Sequence, residues 1–177
     1  AEPMRAENTL RVLAFLRTPE SVGILVAATD PLKIDDEGHR LVAAGLLKVA
    51  VQGGDKSALD SAVLTSTARS IAENLDNDNS WIVVLEELRA LNTIALSSSL
   101  SKENRNELRS IQFGAFQQLS NRIEASNEPS QLTQAVYRAM LGLREKLLDK
   151  SSAGDVSNKE IANTLRMMLK NVADAAI

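Results

Sequence analysis

The sequence predicts an all-α protein, built as an antiparallel bundle or a short stack of about seven or eight helices in a single domain over residues 1–177. Apolar residues recur at intervals of three and four along most of the chain, as they do on one face of an amphipathic helix. The four prolines and eight glycines are too few for the many turns of an all-β fold. Aromatic residues make up only 3% of the chain, so the core must consist of Leu, Ile, Val, Ala and Met, which suits closely packed helices.

Helix starts and stops divide the first part of the chain. We expect a first helix over about residues 3–16 and a new start at Thr18, which can cap the N–H groups of the next helix, with Pro19 in the first helical position. The apolar run 22–28 has no second segment with which to pair as a strand, which indicates a short central helix buried on all sides. A third helix is expected over about residues 36–52.

Apolar stripes at helical spacing define the inward faces of the helices. We expect Asp55 or Ser57 to cap the fourth helix, and a capping box of Ser157 and Glu160 to open the eighth. The stripes of the first and of the fourth to eighth helices are Val12, Leu13 and Leu16; Leu64, Ala68, Ile71 and Leu75; Val84, Leu88, Leu91 and Ala95; Leu108, Ile111, Ala115, Leu119 and Ile123; Leu132, Val136, Met140, Leu143 and Leu147; and Ile161, Leu165, Met168 and Val172.

Composition argues against several classes of protein. The chain is acidic, with a formal net charge of −3 and a pI of about 5.3, and its basic residues lie among acidic neighbours at helical spacing. Mixed-charge faces of this kind are typical of solvated helices, so we expect no nucleic-acid partner. The absence of cysteine excludes disulfides and thiolate sites. The longest apolar run is too short for a membrane-spanning helix.

The first residues bear on the compartment. The chain opens with Ala1-Glu2-Pro3 and no initiator Met, as a chain does after removal of a signal peptide, although a trimmed chain would look the same. This start favours a periplasmic or secreted protein over a cytoplasmic one.

The segment 149–160 carries oxygen-bearing side chains at calcium-ligand spacing, and predicted helices flank it on both sides. A calcium loop of twelve residues has ligands at positions 1, 3, 5, 7, 9 and 12 and a glycine at position 6. Here the glycine is Gly154, the apolar position 8 is Val156, and position 5 is Ala153, which has no side-chain oxygen. The candidate metal ligands are Asp149, Ser151, Ser157 and Glu160.

This pattern resembles the calcium loop of the EF-hand family. The resemblance implies a helix–loop–helix calcium site with Asp149 and Glu160 as its charged ligands, and with only two carboxylates the affinity would be millimolar or weaker. A loop of Asp, Ser and Gly before a capped helix is also an ordinary connection between two helices, and that alternative stays open.

A second segment, 76–87, resembles the same loop. Its candidate ligands at positions 1, 3, 5 and 12 are Asp76, Asp78, Ser80 and Glu87, but Trp81 stands in place of the turn glycine. A residue other than glycine at that position would have to adopt a strained backbone conformation.

His39 is the only histidine and lies near Asp35, Asp36 and Glu37. A histidine oriented by a carboxylate can act as a general base in an enzyme. The alternative is a surface residue in the first turn of a helix, where acidic neighbours interact favourably with the helix dipole. A single histidine excludes a multi-histidine metal site. No catalytic residue is assigned, and no cofactor is expected apart from the calcium alternative.

These exclusions favour a non-enzymatic interaction or structural protein. It would be an accessory factor that binds another protein, or a second copy of itself, through helix faces. The first alternative is a calcium-binding protein that uses residues 149–160, and the second is an enzyme with a site near His39.

Glu160→Gln distinguishes the two interpretations of segment 149–160. In a simple connection Gln fills the same capping role, so the change should be silent. In a calcium loop, free ion at about a hundred times the dissociation constant stabilises the fold by about 2.7 kcal/mol, and the variant loses this gain. Because position 5 is Ala153, we expect no shift of Tm in millimolar calcium, measured by calorimetry. A shift of several degrees that Glu160→Gln abolishes would favour the calcium alternative.

Overall fold

The computed structural model describes residues 2–52, 59–97, 100–126 and 131–147, together with Arg166. Each regular element in the first four ranges is an α-helix, and none of these helices combines the length and the apolar character that crossing a lipid bilayer requires. The seven helices are α1 (Glu2–Leu16), α2 (Pro19–Ala27), α3 (Glu37–Val51), α4 (Ser61–Asn77), α5 (Trp81–Ala95), α6 (Lys102–Ser126) and α7 (Gln131–Leu147).

Short polar side chains start α2, α3 and α4. Thr18 and Ser21 form a capping box, in which the Ser21 N–H donates to the Thr18 hydroxyl at 3.2 Å and the Thr18 N–H donates to the Ser21 hydroxyl at 2.9 Å. Asp36 caps α3 by accepting a hydrogen bond from the His39 N–H at 3.0 Å, and Asp60 caps α4 in the same way. These bonds satisfy N–H groups that have no partner within the first turn of a helix.

The predicted all-α fold is confirmed, and the first three helices lie within a residue or two of their predicted limits. The predicted N-cap and the N-terminal proline of α2 are both observed. The prediction of Asp55 or Ser57 as a cap is wrong, because α4 begins at Ser61 with Asp60 as its N-cap. The stripe of the predicted eighth helix, 161–172, lies outside the described residues.

The helices pack in two layers. The odd-numbered helices lie side by side in one layer, where α1 contacts α3, α3 contacts α5, and α5 contacts α7. The even-numbered helices α2, α4 and α6 form the second layer, so the chain changes layer at each connection. Every extensive contact in the described part joins helices one or two places apart along the chain. The fold is therefore a short stack of helix pairs.

The core lies between the layers and is largely aliphatic, as the composition predicts. The predicted stripes of α4 and α5 are buried, and so is that of α6 except for Ile111, which is half-buried. In α7 the stripe is buried at Val136 and Met140 and half-buried at Leu132, whereas the side chains of Leu143 and Leu147 are outside the described part.

The sequence predicts that α2 is buried on all sides, and this prediction is wrong. Val22, Leu25 and Val26 are buried, but Ile24, on the opposite side of the helix, is half exposed. In a stack of two layers a helix keeps one side toward solvent, so an all-apolar helix exposes part of its apolar surface.

Leu88 lies fully buried in α5, which contacts helices of both layers. Leu88→Ala should lower the free energy of unfolding by about 2–5 kcal/mol, because it removes buried methyl groups and leaves a cavity. Leu32→Ala is the matched control: Leu32 is 77% exposed, and the same change there should cost less than about 0.5 kcal/mol. Urea denaturation measures both values, and equal losses would contradict this placement of the core.

Candidate functional site

Helix α1 is apolar on two opposite sides in its last two turns. Leu10 and Ala14 are buried against the core. Val12, Phe15 and Leu16 lie at helical spacing on the other side, where they are 58%, 74% and 58% exposed. We call these three residues the α1 outer face.

This geometry corrects the sequence-based expectation for α1, which placed Val12, Leu13 and Leu16 together on the core side. Leu13 is half-buried against the core, whereas Val12 and Leu16 face solvent, so the expectation is wrong at those two positions. Hydrophobic periodicity identifies an apolar face, but it does not decide between two apolar faces of one helix.

Helix α1 is one of the two end members of the odd-numbered layer as far as the structure describes it, and α7 is the other. Within the described part of the chain, α1 has one neighbour in its layer, α3, whereas α3 and α5 each have two. The first turns of α1 expose polar side chains on the same side as the α1 outer face: Arg5, Asn8 and Thr9. The exposed apolar surface is thus confined to the last turns of α1, on the side away from the core.

Other large apolar residues exposed in the described ranges stand singly, apart from one pair that lies a helical turn apart on α7. They are Ile24 on α2, Leu32 in the next connection, and Tyr137 with Leu141 on α7. Single exposed hydrophobic residues are ordinary on protein surfaces. The α1 outer face is the densest exposed apolar group among the described residues.

Arg40 of α3 and Asp78, which follows α4, form a buried ion pair between the layers. Arg40 Nε donates to Asp78 Oδ2 at 3.0 Å and Nη2 donates to Oδ1 at 3.3 Å, so guanidinium and carboxylate meet side by side. Arg40 Nη1 also donates to the carbonyl oxygens of Ile34 at 2.7 Å and Asp35 at 3.0 Å. One side chain thus holds α3, the connection that precedes it and the end of α4 together.

Asp78 is also the point where α4, α5 and α6 meet. Its Oδ1 accepts from the Ser80 backbone N–H at 2.7 Å, in the turn that starts α5. Its carbonyl oxygen accepts from Arg122 Nη2 of α6 at 3.0 Å. The Ser80 hydroxyl donates to Glu37 Oε1 at 2.8 Å, which ties the turn to the start of α3. We call this set of contacts, together with the Arg40 pair, the interlayer junction.

Glu87 of α5 is fully buried next to the interlayer junction. Among the described residues, none donates a hydrogen bond of regular geometry to its carboxylate oxygens. The polar side chains within its reach are Thr29 and Asn74, but the Asn74 amide donates to Thr29 Oγ1 at 2.9 Å and the Thr29 hydroxyl donates to a carbonyl of α2 at 3.0 Å. Burial, with a smaller contribution from the charge of Asp78, raises the pKa of Glu87 to about 8 against the opposing effects of Thr29, Asn74 and Arg40.

A second set of buried polar side chains links α5, α6 and α7. Arg109 Nη1 donates to Gln112 Oε1 at 3.0 Å, the Gln112 amide donates to Asn92 Oδ1, and the Asn92 amide donates to the carbonyl oxygen of Ala139 at 3.0 Å. Burial, and to a smaller extent the charge of Arg105, lowers the pKa of Arg109 to about 10, so its guanidinium stays charged at neutral pH. The apolar stripes do not predict these residues in the core.

A groove of about 430 Å³ lies between α4 and α6. Its walls combine Arg69 and Glu73 of α4 with Gln117, Gln118 and other residues of α6. The groove is open to solvent and lacks the enclosed apolar surface of a ligand pocket.

The structure tests only one of the two segments that resemble a calcium loop, 76–87, because 149–160 lies outside the described residues. The candidate ligands Asp149, Ser151, Ser157 and Glu160 lie outside the described residues, so a calcium site there stays a prediction. In segment 76–87, α4 continues through Asn77 and α5 begins at Trp81, so three residues connect the helices and the twelve residues do not form one loop. Asp78 is engaged by Arg40, and Asp76 is exposed, so the expected ligands are not gathered around one point.

His39 lies half-buried in the first turn of α3, and its backbone N–H donates the capping hydrogen bond to the side chain of Asp36. Asp35, Asp36 and Glu37 are exposed, and Glu37 accepts a hydrogen bond from Ser80. Over the described ranges, no three His, Cys, Asp or Glu side chains are grouped so that they could hold a metal ion. The surroundings of His39 are those of an N-terminal helical turn.

Comparison with known proteins gives no assignment. No protein family matches the chain, and neither a curated protein nor a solved structure is significantly similar to it. Function therefore has to be inferred from the geometry.

Arg40→Met should lower the free energy of unfolding by about 3–5 kcal/mol, because it leaves the buried charge of Asp78 without its cation. Arg69→Met is the control. It removes an exposed arginine that pairs with Glu107 and should cost less than about 1 kcal/mol. Adding Asp78→Asn to Arg40→Met should recover part of the loss, because no unpaired charge remains. Chemical denaturation at neutral pH gives the values, and similar losses for the two arginines would contradict the assignment of the junction.

Proposed function

We propose that this chain is a non-enzymatic interaction protein that binds an amphipathic helix of another protein through the α1 outer face. The observation that supports this function is the exposure of Val12, Phe15 and Leu16 on the side of α1 opposite the core. A helix that only covers a core presents polar residues to water, as the first turns of α1 do. Apolar residues three and four places apart on the solvent side are the kind of anchors through which helices bind partner helices.

The layer arrangement favours a helix as the occupant. In the odd-numbered layer each helix packs along the side of the next, and among the described helices α1 has a neighbour of that row on one side only. A partner helix there would extend the layer by one member. Val12 and Leu16 are one turn apart and can flank an apolar side chain of the partner, while Phe15 supplies an aromatic anchor.

The size of the outer face predicts reversible binding. Its three side chains together expose on the order of 300 Å² of apolar surface, which is in the range of patches that often function on monomers. At about 25 cal/mol per Å², burial of this surface contributes up to about 7.5 kcal/mol before the entropic cost of association. A partner that covers this patch alone should therefore bind with a micromolar or weaker Kd.

Photocrosslinking at position 15 tests the function. Phe15 is replaced by p-benzoylphenylalanine in the full chain, in cells that produce the protein naturally, and Ser110, an exposed residue of α6, is replaced in the control. We expect a product at position 15 that is absent at position 110, with the crosslink mapped to an apolar position of an amphipathic helix in a different protein. Val12→Ser combined with Leu16→Ser should reduce this product about tenfold or more, since it removes two of the three anchors.

The double variant must keep its fold for this comparison. Both residues are exposed, so their replacement should change the free energy of unfolding by less than about 0.5 kcal/mol each. Equal products at positions 15 and 110, or a product that the double variant does not reduce, would contradict the proposed surface. A crosslinked homodimer would contradict the proposed partner and identify a second copy of this chain instead.

A further inference from the structure

Glu87 brings a carboxyl group into an interior where the neighbouring polar groups are already engaged. Arg40 donates to both carboxylate oxygens of Asp78 and to two carbonyls of the connection between α2 and α3. The Asn74 amide donates to Thr29 Oγ1 and, at 3.3 Å, to a carbonyl of α2, and the Thr29 hydroxyl donates to that same carbonyl. A carboxylate only accepts hydrogen bonds, and none of these donors makes one of regular geometry to it.

We propose that Glu87 is a protonated carboxylic acid in the folded protein at neutral pH, and that loss of this proton at alkaline pH releases the connection between α2 and α3. The protonated group is a donor, and the neighbouring side chains of Thr29 and Asn74 carry a hydroxyl and an amide oxygen that can accept from it. A neutral acid with a hydrogen bond costs much less to bury than an unpaired carboxylate. Glu87 is then a pH-sensitive switch, which we call the latch: it is closed while Arg40 anchors the connection between α2 and α3, and open once that anchoring is lost. It does not depend on the α1 outer face.

The charged groups around Glu87 determine what its ionisation does. Asp78 at the end of α4 is negative, and Arg40 of α3 is positive, whereas α2 and its following turn present the hydroxyl of Thr29. Arg122 of α6 is directed at the carbonyl of Asp78. Ionised Glu87 therefore places a second carboxylate beside Asp78, with the guanidinium of Arg40 to be shared by both.

Arg40 transmits the change to the connection between α2 and α3. A guanidinium that turns toward Glu87 gives up donors that now bind the carbonyl oxygens of Ile34 and Asp35. These bonds anchor the connection to α3. Leu32, in the middle of the connection and 77% exposed, should then move more freely.

The direction of the pH effect follows from proton linkage. Burial raises the pKa of Glu87 from an ordinary value of 4.5 to about 8. Between about pH 4.5 and pH 8 the folded chain binds one proton more than the unfolded chain. The stability of the fold therefore decreases as the pH rises through this window. Below the window both states are protonated, and above it both are ionised, so this group has no further effect. The latch is closed at neutral pH and open above about pH 8.

A spin label in the connection reports the release. The chain has no cysteine, so Leu32→Cys creates a single labelling site, and Ser110→Cys on α6 provides a distant control site. We expect the spectrum of the label at position 32 to sharpen as the pH rises from about 7 to about 9.5, with a midpoint near pH 8, and the spectrum at position 110 to stay constant. Glu87→Gln mimics the protonated acid and should keep the label in its neutral-pH state, whereas Glu73→Gln, at an exposed position of α4, should keep the wild-type transition.

Carbon-13 NMR of the glutamate carboxyl groups in the unlabelled wild-type chain tests the protonation itself. The Glu87 resonance should titrate with a midpoint near pH 8, well above the midpoints of the exposed glutamates. Because the measurement needs no variant, it tests the protonation of Glu87 even if Glu87→Gln does not fold. A Glu87 midpoint below about pH 6 would overturn the proposal. A label at position 32 that shows no transition, or the same transition in Glu87→Gln, would overturn the latch.

Discussion

The ion pair of Arg40 with Asp78 fixes how the two layers lie on each other, because its hydrogen bonds tolerate little displacement. Aliphatic surfaces can slide past one another at small cost, whereas a side-by-side guanidinium and carboxylate meet in one arrangement. Arg40 also holds the connection that leads into α3, and Arg122 adds α6 to the same point. We interpret the pair as a source of register more than of stability, since well-packed apolar residues often replace buried ion pairs without loss.

The two buried sets of polar side chains hold different groups of helices together. The interlayer junction joins the end of α4 to the starts of α3 and α5, to the connection before α3 and to α6. Asn92 with Gln112 and Arg109 joins the last turn of α5 to α6 and α7. Both sets include α5, whose apolar stripe lies in the core. The apolar stripes supply most of the favourable free energy, and the polar sets select one packing of helices whose aliphatic side chains alone would fit in several ways.

The fold was predictable because its signals are local. The stripes of α4 and α5 and the Thr18 cap each depend on residues within a few turns, and the structure confirms them. The buried positions of Arg40 and Glu87 were not predictable, since a charged residue in a helix indicates the solvent side and Asp78 lies 38 residues from Arg40. The α1 outer face was missed for a related reason: which of two apolar sides meets the core depends on distant helices.

The contact pattern also determines how the molecule responds to stretching. Every extensive contact in the described part joins helices that are close in sequence, so none ties the first helix directly to the seventh. Force applied to the two ends of this region would therefore meet no long-range clamp, and helices would detach in succession from the ends toward α5. The same property gives a low contact order, which is typical of domains that refold rapidly once the load is removed.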